Sequence, residues 1–140
     1  MKQRVVSLSD FGPAENMSLI EADIPTPENG QIVVKNNAIG LNYLDTYFRS
    51  GLYPWPNNND IKIPGSEGVG YIHAVGSDVL DFKEGDRVSY VTPVGAYAEY
   101  AIINAAHAAK INVEVEDHDV VALSLIHIWR CRRRLRCRSR

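Results

Sequence analysis

The run Ala38 to Tyr53, AIGLNYLDTYFRSGLY, gathers an amide (Asn42), a carboxylate (Asp45) and two phenols (Tyr47 and Tyr53) into one short stretch. Such groups donate and accept hydrogen bonds at defined points, and a phenol adds an apolar ring to lay against a flat ligand. Carried on a rigid, capped turn they suit a ligand site; the same residues fit a well-capped surface helix. Other chemistries lack their residues. Ser7, Ser9, Ser18, Ser50, Ser66, Ser77 and Ser89 occur without a G-x-S-x-G elbow, and no histidine is placed as their base, so hydrolysis has no support. His73, His107, His118 and His127 share no metal-ligand spacing. Cys131 and Cys137 both fall in the last segment, which leaves the rest of the chain without a cysteine-ligated metal or a disulfide framework.

The flanking elements must position that stretch. Gln31 to Leu41 is apolar and β-rich, which predicts a strand, and after it Leu44, Tyr47 and Phe48 fall three and four residues apart on one helical face. Asn42 is then the N-cap, and Asp45, three residues on, is the acidic half of a capping-box pair. Arg49 and Gly51 supply the cation and the glycine that end such a helix. Upstream, Lys2 to Leu8 reads as an edge strand, Asp10 to Pro13 as a tight reversal and Met17 to Ile24 as the returning strand. Asn29-Gly30 is a strong hairpin signal ahead of Gln31, and neighbouring strands are expected to pair antiparallel.

Downstream, Tyr53 to Asp60 carries Pro54, Pro56, Asn57, Asn58 and Asn59 and reads as an exposed, mobile loop. Gly65, Gly68 and Gly70 lie in a strand-like run and read as a barrel corner. Because GSEGVGYIHAVG continues as β, it is not a dinucleotide fingerprint. Glu67 in that apolar run needs a partner such as Arg49 or a backbone donor. Arg87 to Val91, Ala96 to Ile103 and Ala108 to Val113 predict further strands, and an acidic helix start at Glu116 leads into Val120 to Leu123. Many short strands with one short helix among them predict a mainly β fold, a small closed or partly open barrel.

With 140 residues the chain suits one domain with a real core, and 45% hydrophobic content with 23% charge is ordinary for a soluble globular protein. It has neither an apolar run long enough to cross a bilayer nor a signal-peptide core, so a cytoplasmic protein without a membrane partner is expected. The net charge of −2 hides an asymmetry. Arg130, Arg132, Arg133, Arg134, Arg136, Arg138 and Arg140 crowd the end, leaving eight of the 15 basic residues against all 17 acidic ones in the rest of the chain.

Three blocks, AIGLNYLDTYFRSGLYP, PGSEGVGYIHAVG and EGDRVSY, together resemble the N-terminal catalytic domain of the zinc-free quinone oxidoreductases (NADPH:quinone reductases). These are a branch of the medium-chain dehydrogenase/reductase family, and the likeness runs from about Val5 to about Leu123. It implies a GroES-like, partly open β-barrel over residues 1–122, with the family's Rossmann domain missing. It also implies hydride transfer from NADPH to a small-molecule quinone, with no nucleic-acid partner, and a homodimer when intact. Asn42, Tyr43, Leu44, Asp45, Thr46 and Tyr47 would contact the nicotinamide half of NADPH, and Tyr47 and Tyr53 would line the quinone pocket as the catalytic pair. Zinc-dependent relatives hold their catalytic metal with a cysteine matching Asn42 and a histidine matching Ser66, beside an acidic residue matching Glu67, so no catalytic zinc is expected. A fragment without the phosphate-binding turn is expected neither to bind NADPH tightly nor to turn over. An enoyl or alkenal reductase of the same superfamily, and a stand-alone GroES-like binding module without catalysis, are the other readings.

From Leu123 onward, LSLIHIWRCRRRLRCRSR departs in composition from everything before it. Its opening resembles the translated end of a transposase-type sequencing adaptor, so residues 123–140 are expected to be an assembly artefact. An Arg-rich arm for phosphate backbones is the competing reading.

Overall fold

The computed structural model describes residues 1–122; the Arg-rich segment and both readings of it lie outside the described residues. The chain opens with β1 (Lys2–Leu8) and β2 (Met17–Asp23), an antiparallel hairpin in register from Lys2 opposite Asp23 to Leu8 opposite Met17. Gln3, Val5 and Leu8 are buried. The hairpin is stitched to the rest by single bridges from Val5 to Ala98 and from Leu8 to Lys62.

The main sheet contains β3 (Gln31–Ile39), β4 (Glu67–Val75), β5 (Arg87–Val91), β6 (Tyr100–Asn104) and β7 (Ala108–Lys110). They lie side by side in the order β6-β3-β4-β5-β7, every ladder antiparallel. One short helix, α1 (Tyr43–Arg49), follows β3, and another occupies 117–122. Among the described residues no ladder joins β6 to β7, so the mainly β fold is an open sheet and not a closed barrel. It is nevertheless strongly curled. In a flat sheet the two edge strands would stand roughly 19 Å apart, yet they are joined through Ala105–His107 alone. A link of that length spans at most about 14 Å. Inside the curl sit Ile32, Val34, Ile72, Val88, Tyr90, Ala96, Ala101 and Ile103.

Three expectations fail for tertiary reasons. Asn29-Gly30 does turn, with Gly30 at φ +73, but it joins strands of different sheets, because β2 is already paired with β1. Its polar groups go to the β4–β5 connection instead: the Gly30 N–H donates to Asp78 Oδ1 at 2.5 Å and the Ser77 hydroxyl to Asn29 Oδ1 at 2.7 Å. The predicted strand from Ala96 begins only at Tyr100, since the preceding segment folds over the chain before β4. There the Tyr97 N–H bonds to the Pro64 carbonyl at 2.9 Å and the Ala96 N–H to the Gly65 carbonyl at 3.1 Å. The strand expected to reach Val113 ends at Lys110. Beyond it, the Arg87 guanidinium holds the Val113 and Val115 carbonyls and the Asp117 carboxylate, which ties the final helix to β5.

The glycines of β4 answer to close approach. β3 and β4 shift register between Asn36 and Ala38, and a Cβ on Gly70 would lie 2.0 Å from the Lys35 carbonyl oxygen. One on Gly68 would lie 2.5 Å from the Tyr90 hydroxyl. Gly70→Ala is therefore expected to lower the unfolding free energy by roughly 3 kcal/mol, the upper end of overpacking costs. Urea denaturation checks it, and a loss below about 0.5 kcal/mol, a surface-like value, would mean that the strands part easily there.

Candidate functional site

At the end of β3 the chain turns through Gly40, whose N–H bonds to the Glu67 carbonyl at 3.1 Å. A Cβ at Gly40 would fall 2.3 Å from the Glu67 carboxylate, so glycine is what lets the turn sit on β4. Asn42 follows in extended conformation (φ −126, ψ 154) and starts α1. Its backbone N–H donates to Asp45 Oδ2 at 2.8 Å, the back-reaching half of the expected capping box. Its side-chain NH2 donates to Glu67 Oε1 at 2.6 Å. Glu67, 4% exposed, thus finds a partner in Asn42, while Arg49 Nε donates to the Gly12 carbonyl at 3.2 Å.

Asp45 is the hub. Only 5% exposed, its carboxylate accepts the Asn42 N–H, the Ser66 hydroxyl and, at 2.9 Å, the Tyr97 hydroxyl. A buried carboxylate stays favourable only when donors replace the water it has lost, and here three chain segments supply them. Burial first, then the charge and hydrogen bond of Asp45, push the Tyr97 phenol well above its ordinary value of 10.0, and the Arg49 charge opposes them weakly.

Around this hub lies a cleft of about 280 Å³ whose walls include Leu41, Asn42, Tyr43, Asp45, Thr46, Arg49 and Tyr97. Leu41 and Tyr43, 85% and 84% exposed, form apolar lips. A second cleft of about 450 Å³, between the β1–β2 hairpin and β3, meets the first at Leu41 and Tyr97.

Of the residues expected to contact a cofactor, Asn42, Tyr43, Asp45 and Thr46 line the first cleft, and Leu44 and Tyr47 do not. Tyr47 and Tyr53 come together elsewhere, with ring centroids 5.5 Å apart and the Tyr53 N–H on the Tyr47 carbonyl at 3.1 Å. Phe48 meets Tyr53 edge-on at 5.7 Å and Trp55 at 6.3 Å. The pair forms an aromatic face, 39% and 44% exposed, beside the cleft and not in it. Arg49 and Tyr97 are the polar cleft residues that sequence reasoning missed, and Met17, Leu41 and Pro64 the apolar ones. Tyr97, half-buried, carries no local signal in the sequence, because its hydroxyl is placed by Asp45, a partner remote in the chain. Among the described residues, no group of three or more His, Cys, Asp or Glu side chains is placed to hold a metal, and no helix is long and apolar enough to cross a membrane.

Residues 28–113 match the sequence model of the alcohol dehydrogenase GroES-like domain. The chain belongs to that family. At 42% identity over 116 residues, this GroES-like chain is similar to a probable quinone oxidoreductase of Schizosaccharomyces pombe, with 82% of this chain and 34% of that protein covered. It is also similar to the solved quinone oxidoreductase of Pseudomonas syringae pv. Tomato DC3000, at 40% identity and TM-score 0.79 over 88% of this chain and 37% of that one. The Escherichia coli quinone oxidoreductase complexed with NADPH aligns at 33% identity and TM-score 0.75, covering 85% of this chain and 36% of that one. The chain spans about a third of the length of these relatives.

Asp45→Asn keeps the shape of the hub but removes its charge and misplaces an N–H among three donors. It is expected to cost about 2–4 kcal/mol, against about 1 kcal/mol for Tyr97→Phe, both read from denaturant unfolding. The pH dependence follows in sign. Tyr97, and Tyr90 raised by burial, stay neutral when folded, whereas an unfolded phenol ionises near 10.0. Stability should be full below pH 10 and fall as pH rises beyond it, less steeply in Tyr97→Phe.

Proposed function

We propose that this chain is the substrate-side domain of a zinc-free, NADPH-dependent quinone oxidoreductase, with its site at the Asp45 cleft and the adjoining Tyr47–Tyr53 face. The observation that carries this reading is the chemistry of the Asn42–Asp45–Ser66–Glu67 cluster. At the positions matched to the cysteine and histidine ligands of zinc-dependent relatives stand an amide and a hydroxyl, and both are engaged as donors to buried carboxylates. Hard oxygen groups already bonded to one another make a poor zinc site. The relatives named quinone oxidoreductase, one of them solved with NADPH, support the same reading.

The cleft suits the nicotinamide end of NADPH. Leu41 and Tyr43 offer apolar faces to the ring. Tyr97 and Thr46, whose own hydrogens go to Asp45 and to the Tyr43 carbonyl, offer lone pairs to a carboxamide N–H. Among the described residues there is no glycine-rich strand-to-helix turn for the pyrophosphate, so a nucleotide-binding domain of a longer chain would hold that half. NADPH, when bound, supplies a hydride that converts a quinone to the hydroquinone monoanion, which then takes a proton from water. The chain's own residues hold the geometry: Asp45 fixes Tyr97 and the start of α1, and Tyr47 and Tyr53 offer ring faces to a flat substrate. On this reading the domain comprises residues 1–122, residues 123–140 are no part of it, and the intact enzyme is a cytoplasmic homodimer.

Two assays test the reading. Residues 1–140 alone are expected to show no NADPH-dependent menadione reduction above the uncatalysed rate. A chimera in which residues 1–122 replace the matching part of the Escherichia coli relative should reduce menadione with NADPH and keep its rate in EDTA. Chelator-sensitive turnover, or a folded chimera that reduces enones but no quinone, would overturn it.

A further inference from the structure

The cleft has an unusual polarity: most side-chain donors on its wall are already engaged. The Tyr97 hydroxyl goes to Asp45, the Thr46 hydroxyl goes to the Tyr43 carbonyl at 2.6 Å, and one amide hydrogen of Asn42 goes to Glu67. What these groups show the cleft is lone pairs and the remaining Asn42 hydrogen. A quinone carries only acceptors, and it gains negative charge on oxygen as it is reduced. Such a ligand is repelled by this wall unless a cation faces it.

Arg49 is that cation. It is the last residue of α1, one turn beyond Asp45, and it lines the same cleft. Its backbone carbonyl accepts the Gly12 N–H at 2.9 Å and its Nε donates to the Gly12 carbonyl at 3.2 Å, so the stem is tethered on both sides. Its two Nη nitrogens make no hydrogen bond or ion pair among the described residues. A planar cationic fork held by one nitrogen and open at the other two is pre-organised for an oxygen ligand.

We propose that Arg49 is a substrate-contacting residue of this cleft, its Nη fork binding the quinone oxygen on which negative charge develops. The inference rests on the quinone-reductase reading of the site. No proton leaves Arg49. When the nicotinamide's hydride has passed to the quinone, the guanidinium pairs with the resulting hydroquinone oxyanion until water protonates it.

The test compares two naphthoquinones of nearly equal shape on the 140-residue chain. One is 2-hydroxy-1,4-naphthoquinone, a vinylogous acid ionised at neutral pH; the other is menadione, with a neutral methyl group in place of the oxyanion. Titration followed by intrinsic fluorescence should show the anion binding roughly tenfold more tightly than menadione, the fold-change of about one charge-assisted hydrogen bond. Arg49→Gln should erase that preference, and Arg49→Lys, which keeps the charge but not the fork, should retain part of it. Thermal unfolding checks that each variant folds; should Arg49→Gln fail to, the partial loss in Arg49→Lys decides. Menadione binding without preference for the anion, or a preference that survives both substitutions, would overturn the role of Arg49 and leave the quinone reading standing. Failure of both naphthoquinones to bind would overturn both.

Discussion

A single buried carboxylate sets the geometry of the site. Asp45 collects the backbone N–H of Asn42, the hydroxyl of Ser66 and the hydroxyl of Tyr97. Those donors come from the start of α1, the approach to β4 and the segment before β6. An unpaired carboxylate at that depth would be costly, so the chain cannot take α1 away from β4, or the Tyr97 segment away from either, without exposing the cost. Three segments remote in sequence are thereby held at one point, and the cleft is the space they leave.

That arrangement depends on a sheet bent tightly enough to bring its parts within reach. Gly68 and Gly70 let β4 lie against Tyr90 and against the β3 backbone, where side chains would hold them apart. The register shift in β3 turns its end toward Gly40, and Gly40 lies where a Cβ would strike Glu67. Curl and site are thus one feature seen at two scales. The short link between the two edge strands demands the same curvature from the opposite side of the sheet.

Much of this was legible in the sequence wherever the signal was local. β1, β2, β3 and the capped start of α1 follow from alternation, turn residues and the Asn42–Asp45 spacing, because the groups that satisfy one another are near neighbours in the chain. The Asn29-Gly30 turn misled because a turn's chemistry fixes its own backbone and not the sheet to which the next strand belongs. Tyr97 was read as one more residue of a β-run, since its meaning lies in a contact with Asp45 fifty-two positions away. Arg49 reads from sequence as a helix-ending cation, which it is; that it also lines a cleft is a tertiary fact. Tyr47 and Tyr53 are expected to line a quinone pocket; their rings pair with each other outside the Asp45 cleft, because the chain after α1 folds Tyr53 back onto the Tyr47 carbonyl.

On the proposed reading, the polar cluster bears on how this fold can work without a metal. A zinc ligand set needs soft or borderline donors with free lone pairs aimed at one point. Here Asn42 and Ser66 aim hydrogens, not lone pairs, at Glu67 and Asp45, so the two carboxylates are satisfied from within the protein. If a quinone binds here as proposed, its oxygen meets no positive charge at the centre of the cluster, where the side chains are amide, hydroxyl and carboxylate. The cleft's remaining source of positive charge is at its rim, where Arg49 closes the same helix that Asp45 opens. On the proposed reading, a side chain supplies the charge that a bound ion would carry, and the hydride chemistry is left to the cofactor. The rigid geometry falls to hydrogen bonds, which tolerate an amide and a hydroxyl at the two positions only because both act as donors to a buried anion.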